Sequence, residues 1–356
     1  MLTMMEFLKY LVNKEGSDIH LCAGRKPHIR IHGELAETEF DVLKPQEVKK
    51  LIYSILNKGQ INILEQNKEL DMSYMIPDLC RFRINIYIQR GSLGIVVRSI
   101  PFQVRTLEDL GIPKVLKSFV DRMNGLILVT GPQGSGKTTT LAAIIDYINT
   151  TRKAHIITIE DPIEYMHRSK KSIINQREVG NDTFSYNQAM RYILRQDPDV
   201  CLIGEMRDIE SIKTALALAE AGILVLSTLH SPSAAKTVSR MVDMFTPDYQ
   251  QQIKIQLSLT LIAVISQQLV PRRDKKGRVL ACEIMKKTTP IENMIRTYSI
   301  KQMQSVIQTG KEEGMCTMDQ YLFNLYNKEL ISKYELFKRA HDVELVSGWL
   351  KEQDLP

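Results

Sequence analysis

The sequence predicts a two-domain α/β protein: a small α+β domain, then a mainly parallel sheet wrapped in helices, then a helical tail. Three observations carry this. Continuous apolar runs of strand length at 125–130, 154–160, 200–204 and 223–228 are each followed by polar or glycine-rich residues and a helical segment, and runs apolar on both faces belong in a parallel sheet covered by helices. The glycine-rich stretch GPQGSGKT stands between the first run and the helix TTLAAIIDYINT. The first hundred residues instead alternate apolar and polar, as in RFRINIYIQRGSLGIVVRSI over 81–100, which reads as a hairpin around Arg90-Gly91.

Taken in order, MLTMMEFLKYLVNKEGSD is apolar at helical spacing but broken by Glu6 and Lys9, so it is an amphipathic helix and not a signal peptide. HLCAGRKPHIRIHGEL alternates about a Gly/Pro turn, helical segments follow near 44–65, and the hairpin ends at Pro101. FQVRTLEDLGIPK has turn residues without sustained period, so the linker is placed at 101–114. The sheet of the second domain follows, and beyond 285 the pattern is helical, as in SIKQMQSVIQTG and TMDQYLFNLYNKELIS.

At 356 residues, and roughly 150 per domain, two cores are affordable. A composition of 44% hydrophobic and 25% charged residues excludes the disordered and fibrous classes. The net charge of +6 is dispersed, with 14 basic and 12 acidic residues in the first hundred positions and 33 and 29 beyond, so no nucleic-acid-binding tail is present. The one compact basic stretch, RRDKKGR over 272–278, reads as a hairpin loop. Five cysteines without a C-x-x-C pair give neither a disulfide framework nor a zinc site and fit a reducing cytoplasm. No apolar run approaches the length of a membrane span.

GPQGSGKT carries the strongest chemistry. Gly131, Gly134 and Gly136 permit positive φ and bring backbone N–H groups up to phosphate oxygens, at a helix N-terminus whose dipole favours anions. Lys137 would reach the β- and γ-phosphates and the Thr138 hydroxyl would bind Mg²⁺, with Pro132, Gln133, Ser135 and Thr139 completing the loop. Hydrolysis also needs carboxylates. Glu160, Asp161 and Glu164 follow one predicted strand and Glu205 follows another, at the strand ends where a doubly wound sheet gathers its ligand. Asp161 and Asp208 read equally as helix caps or turn residues. Glu205 stands where P-loop ATPases place a metal-side acid, although the usual Asp-Glu is here Gly204-Glu205. Ser227, Thr228 and His230 end a further strand before a helix capped by Ser233; His230 reads either as a γ-phosphate sensor or as a turn cap.

GPQGSGKT, ITIEDPIEY, RQDPDVCLIGEMRD and STLHSPSAAKTVSRM, in that order, resemble the Walker A, Asp box, Walker B and His box of the secretion-superfamily ATPases of type II secretion and type IV pili. The resemblance spans nearly the whole chain. SDIHLCAGRKPHIRIHGEL, the 81–100 hairpin and the C-terminal GRVLACEIM to TMDQYL region look like the pilus retraction branch. The tetracysteine loop and extra N-terminal module usual in the polymerising branch are missing. Gln133 and Thr138 depart from the commoner Thr and Ser, and PIENMIR stands where the retraction branch reads close to AIRNLIR.

The resemblance implies a PAS-like domain over 1–100, the linker 101–114 and a RecA-like ATPase domain over 115–356, with a helical C-terminal part from 285. It implies ATP with Mg²⁺, Glu164 as general base, Glu205 orienting water on the metal and His230 sensing the γ-phosphate. Arg81, Arg83 and Arg98 become candidate arginine fingers, although arginines alternating on a strand also form an ordinary solvated face. Arg195, Arg207 and Arg240 are inter-subunit candidates. The implied protein is a cytoplasmic homo-hexamer at the inner face of the membrane. It retracts type IV pili for twitching motility by acting on an inner-membrane platform protein, with the assembly ATPase as a further partner, and it touches the membrane only through partners and binds no nucleic acid. The competing readings are a pilus-assembly or type II secretion ATPase, a nucleic-acid translocase and a non-hydrolysing nucleotide-binding regulator.

Overall fold

The computed structural model describes residues 2–31, 34–77, 79–100, 104–274 and 276–353. The chain divides into two compact units, residues 1–103 with 164–166, and residues 104–163 with 167–356.

In the first unit α1 (Met4–Asn13) starts at Thr3, whose hydroxyl accepts from the Glu6 N–H while Glu6 returns a bond to the Thr3 N–H. This closed capping box sets the helix register, and Met4, Phe7, Leu8 and Leu11 are thereby buried. β1 (Asp18–Cys22), β2 (His28–Ile31), β3 (Glu34–Glu37), β4 (Glu69–Ile76), β5 (Cys80–Gln89) and β6 (Ser92–Ile100) form one sheet in the order β3-β2-β1-β6-β5-β4. Every neighbouring pair is antiparallel. Ile19, Leu21, Phe82, Ile84, Ile86, Ile95 and Val97 point to one face, sharing a core with α1, α2 (Pro45–Tyr53) and α3 (Lys58–Asn67). The β5–β6 hairpin turns on Arg90 (φ 48°) and Gly91 (φ 74°), the double positive φ that matches strand twist in a two-residue turn. The edge strands are acidic: Glu34 and Glu37 are exposed on β3, and Glu69 and Asp71 on β4. On the face opposite the core, Arg83 lies across from Arg98, and the Arg98 guanidinium is bound at 2.8 Å to Asp18, a buried carboxylate. Arg83 is exposed and Arg81 half-buried.

The second unit begins with residues 104–114, which fold onto its core through Leu107 and Ile112; residues 101–103 of the expected linker lie outside the described residues. Then follow α4 (Val115–Val120), β7 (Gly125–Thr130), α5 (Lys137–Thr151), β8 (His155–Glu160), β9 (Ile173–Glu178), α6 (Tyr186–Ile193), β10 (Val200–Ile203), α7 (Ile209–Glu220), β11 (Leu224–Leu229), α8 (Ala234–Asp243), α9 (Pro247–Thr260), β12 (Leu261–Pro271) and β13 (Arg278–Lys286). The sheet order is β13-β12-β7-β11-β10-β8-β9, parallel except for β13. β7 is buried at all six positions: Ile127 and Val129 face α4 and α5, while Leu126 and Leu128 face the layer of α6 to α9. A core served from both faces is why these runs carry no polar alternation.

The tail is α10 (Thr289–Thr297), α11 (Ile300–Thr309), α12 (Met318–Asn327), α13 (Lys333–Arg339) and α14 (Val343–Gln353). PIENMIR lies in α10, where Ile291 and Ile295 are buried, Pro290 occupies the first turn and Glu292 complements the positive helix end. Strands β3, β4 and β9 add to the sequence expectation, and the antiparallel β12 and β13 flank the basic stretch read as a hairpin loop. Among the described residues no helix is long and apolar enough to cross a membrane.

Candidate nucleotide site

The chain leaves β7 through Thr130 and turns at Gly131, where φ is +140°. A Cβ there would lie 2.4 Å from the Gln267 carbonyl oxygen and 2.7 Å from Ser135 Oγ, so only glycine fits. Gly134 and Gly136 also have positive φ, at 74° and 91°. Gly136 caps α5 without any side-chain bond, which leaves the first N–H groups of the helix open toward the loop. Lys137 is buried, its Nζ donating to the carbonyls of Gly131 (3.1 Å) and Pro132 (2.9 Å). Ser135 Oγ is buried without a hydrogen-bond partner among the described residues. Pro132 and Gln133 are exposed, and Thr138 and Thr139 half-buried. Below the loop a polar network replaces apolar packing. Thr130 Oγ1 meets Ser266 Oγ at 2.9 Å, Thr237 donates to Thr130 at 3.4 Å, and the Gln267 amide donates to Thr140 at 2.9 Å. Buried polar groups paired in this way hold one geometry. A cradle closed to any Cβ, an unpaired Ser135 hydroxyl and an uncapped helix end together fit a polyphosphate.

Strand register sets the acidic groups beside the loop. Thr130 pairs with Leu229, Leu128 with Ser227, Ser227 with Ile203, and Ile203 with Ile159, so four strands end along one edge. There Glu205 is gripped from two sides: Oε1 lies 3.2 Å from His230 Nε2 and Oε2 accepts from Arg207 Nε at 2.8 Å. Arg207 also stands 3.9 Å from Asp161. The Arg240 guanidinium donates to the His230 carbonyl at 2.6 Å and fastens the turn that bears the imidazole. Ser227 and Thr228 donate to the carbonyls of Ile203 and Gly204, each at 2.7 Å, and so lock β11 to β10. Asp208 caps α7, accepting from the Ser211 N–H at 2.7 Å, and that bond holds its carboxyl below the ordinary range. Ser233 caps α8. Glu160 is buried and accepts from Thr158 (2.7 Å) and Gln176 (3.2 Å).

Thus the second unit brings Glu205, His230, Arg207 and Asp161 together. Glu164 is exposed on the 164–166 segment that groups with the first unit, which also holds Arg81, Arg83 and Arg98. Arg195 is exposed in the turn after α6.

Two residues of this edge, Glu178 and Tyr186, escape sequence reasoning, and a third, Gly204, stands out in the sequence only as a departure from the usual Asp-Glu. Glu178, buried on β9, accepts from the Ile163 N–H at 3.0 Å and braces the turn after Asp161. A side chain at Gly204 would have to displace the tyrosine hydroxyl, since a Cβ would stand 2.9 Å from Tyr186 Oη. Tyr186 is pushed above the ordinary phenol range by burial and by the Asp161, Glu160 and Glu205 carboxylates, with Arg207 opposing. Its sequence signal is a helical stripe, Tyr186, Ala189, Met190 and Ile193, in which one inward member has a polar tip.

Comparison with known proteins agrees with this geometry. A curated relative, the type IV pilus retractation ATPase PilT of Pseudomonas aeruginosa, is 46% identical over 335 residues, covering 94% of this chain and 97% of its own. The twitching motility protein of Neisseria gonorrhoeae is 45% identical over 321 residues, 90% of this chain and 86% of its own. The crystal structure of the pilus retraction motor PilT with bound ADP superposes with a TM-score of 0.91 at 43% identity, covering 98% of this chain and all of that one. The profile of the type II/IV secretion system proteins matches residues 2–335, and the chain belongs to that family.

Proposed function

We propose that this protein is an ATP-hydrolysing motor that retracts type IV pili, as the names of its relatives state for them. The observation that carries the chemistry is the meeting of a phosphate cradle at Gly131–Thr139 with the Glu205–His230 pair on the same sheet edge.

In this reading the loop N–H groups and Lys137 hold the β- and γ-phosphates; Lys137 exchanges its bonds to the Gly131 and Pro132 carbonyls for phosphate oxygens. Mg²⁺ would be held by the Thr138 hydroxyl and, through water, by Glu205, and it would neutralise charge on the phosphates. This suits a site in which no three His, Cys, Asp or Glu side chains converge on one point among the described residues. Glu164 is the general base that takes the proton of the attacking water. His230 senses the third phosphate, since an imidazole already on Glu205 at 3.2 Å can change partner at little cost. Arg81, Arg83 and Arg98 offer positive charge to the transition state. Of these, Arg98 has to leave Asp18 first, whereas Arg83 is exposed and has no such ion pair among the described residues. The working unit is a homo-hexamer at the cytoplasmic face of the inner membrane, pulling on a platform protein and alternating with the assembly ATPase.

Two measurements test this. Glu164→Gln should lower kcat for ATP by about 10²-fold or more with nucleotide affinity nearly unchanged; undiminished turnover removes Glu164 from the role. A strain lacking the gene should keep abundant, long pili and lose twitching, whereas loss of all pili would assign the protein to assembly.

A further inference from the structure

The hydrolytic reading, on which this inference rests, leaves the residue before Glu205 unaccounted for. Glu205 supplies the acid of this strand end, but where the usual pattern has Asp before it Gly204 stands, and the space a side chain would take is filled. A Cβ on Gly204 would lie 2.9 Å from Tyr186 Oη, 3.2 Å from the Ile159 carbonyl oxygen and 3.4 Å from Glu160 Cα. The tyrosine is held firmly. It opens α6, whose cap Ser185 accepts from the Gln188 N–H at 3.1 Å, and its ring packs on the core of α6 to α9. Its hydroxyl stands beside Gly204, where burial, and then the Asp161 charge with Glu160 and Glu205 behind it, oppose its ionisation and Arg207 favours it.

The neighbours have unequal needs. Glu160 is served by Thr158 and Gln176, and both Glu205 oxygens have a partner. Among the described residues Asp161 has only Arg207, at 3.9 Å. A fourth carboxylate would add charge to a cluster offset by one guanidinium, whereas a phenol contributes a donor and no charge. We propose that Tyr186 is a positioning residue of the hydrolytic site: its hydroxyl, delivered by α6 into the space beside Gly204 that the usual Asp would take, donates to the Asp161 carboxylate and so orients it beside Arg207 and Glu205.

Tyr186→Phe in the full-length protein keeps the ring and removes the donor. Its kcat should fall about tenfold with KM for ATP nearly unchanged, the worth of one hydrogen bond to a charged group. Binding of a fluorescent ADP analogue supplies a second readout: the variant should need several-fold more Mg²⁺ for half-maximal binding, with affinity in EDTA unaltered. Gly204→Ala, which displaces the hydroxyl, should reproduce both defects alone and add nothing to Tyr186→Phe, with melting temperatures confirming that each variant folds. Native turnover and native Mg²⁺ dependence in Tyr186→Phe would overturn the proposal, as would effects of the two substitutions that simply multiply. If the unmodified protein hydrolyses no ATP, the hydrolytic reading itself fails; native hydrolysis with an unaffected Tyr186→Phe rejects the tyrosine alone.

Discussion

Gly131 shows how one missing atom makes the phosphate cradle. With the Gln267 carbonyl oxygen 2.4 Å from where a Cβ would stand, Gly131→Ala has to move β12 or the loop, and it should abolish binding of a fluorescent ADP analogue while leaving most of the fold intact. Such residues were legible from sequence because glycine spacing between a strand and a helix is a local signal. Tyr186, Glu178 and Gln267 were not, since each acts on residues brought near by strand pairing or helix docking. His167 is a further case. Burial pushes its pKa from the ordinary 6.5 down to about 4, with Asp146 opposing and Lys170 adding to the effect. The unfolded chain therefore binds a proton between these values that the folded protein refuses. Stability is full above pH 6.5 and declines as pH falls toward 4, by at most about 3 kcal/mol from this residue. Melting curves between pH 7 and pH 4.5 should show a steeper acid-side decline for the native protein than for His167→Gln.

At the scale of elements, the buried parallel strands β7, β8, β10 and β11 declared themselves as unbroken apolar runs, and the β5–β6 hairpin by alternation about Arg90-Gly91. β9 did not, because IINQRE lies at the edge of its sheet with exposed, half-buried and buried positions mixed, so neither burial pattern applies. It nevertheless supplies Gln176 and Glu178, the supports of the acidic turn. The helix that follows Glu205 depends on its first turn. Asp208→Ala removes the cap of α7 and should cost about 1 kcal/mol, read as a lower melting temperature with nucleotide affinity retained. A larger loss of ATP turnover than of stability would show that the cap also steadies Glu205, three residues upstream.

For the whole molecule, two units with separate cores follow from two kinds of pattern, one-faced alternation in the first and two-faced burial in the second. The boundary was less legible, because Leu107 and Ile112, in a stretch without regular period, are buried in the second unit. A homo-hexamer in which arginines from another copy complete each site predicts that the ATPase rate per chain rises with protein concentration and levels off once rings have formed. A dilution series followed by sedimentation tests this; a rate independent of concentration across ring dissociation would place the completing groups within one chain. The acidic edge strands β3 and β4 bear on how copies can meet. Two such edges repel one another, so neighbouring chains are steered away from joining their sheets into a continuous ladder. In the proposed ring, contacts that spare these two edges can part and re-form in each cycle without tearing a row of backbone hydrogen bonds.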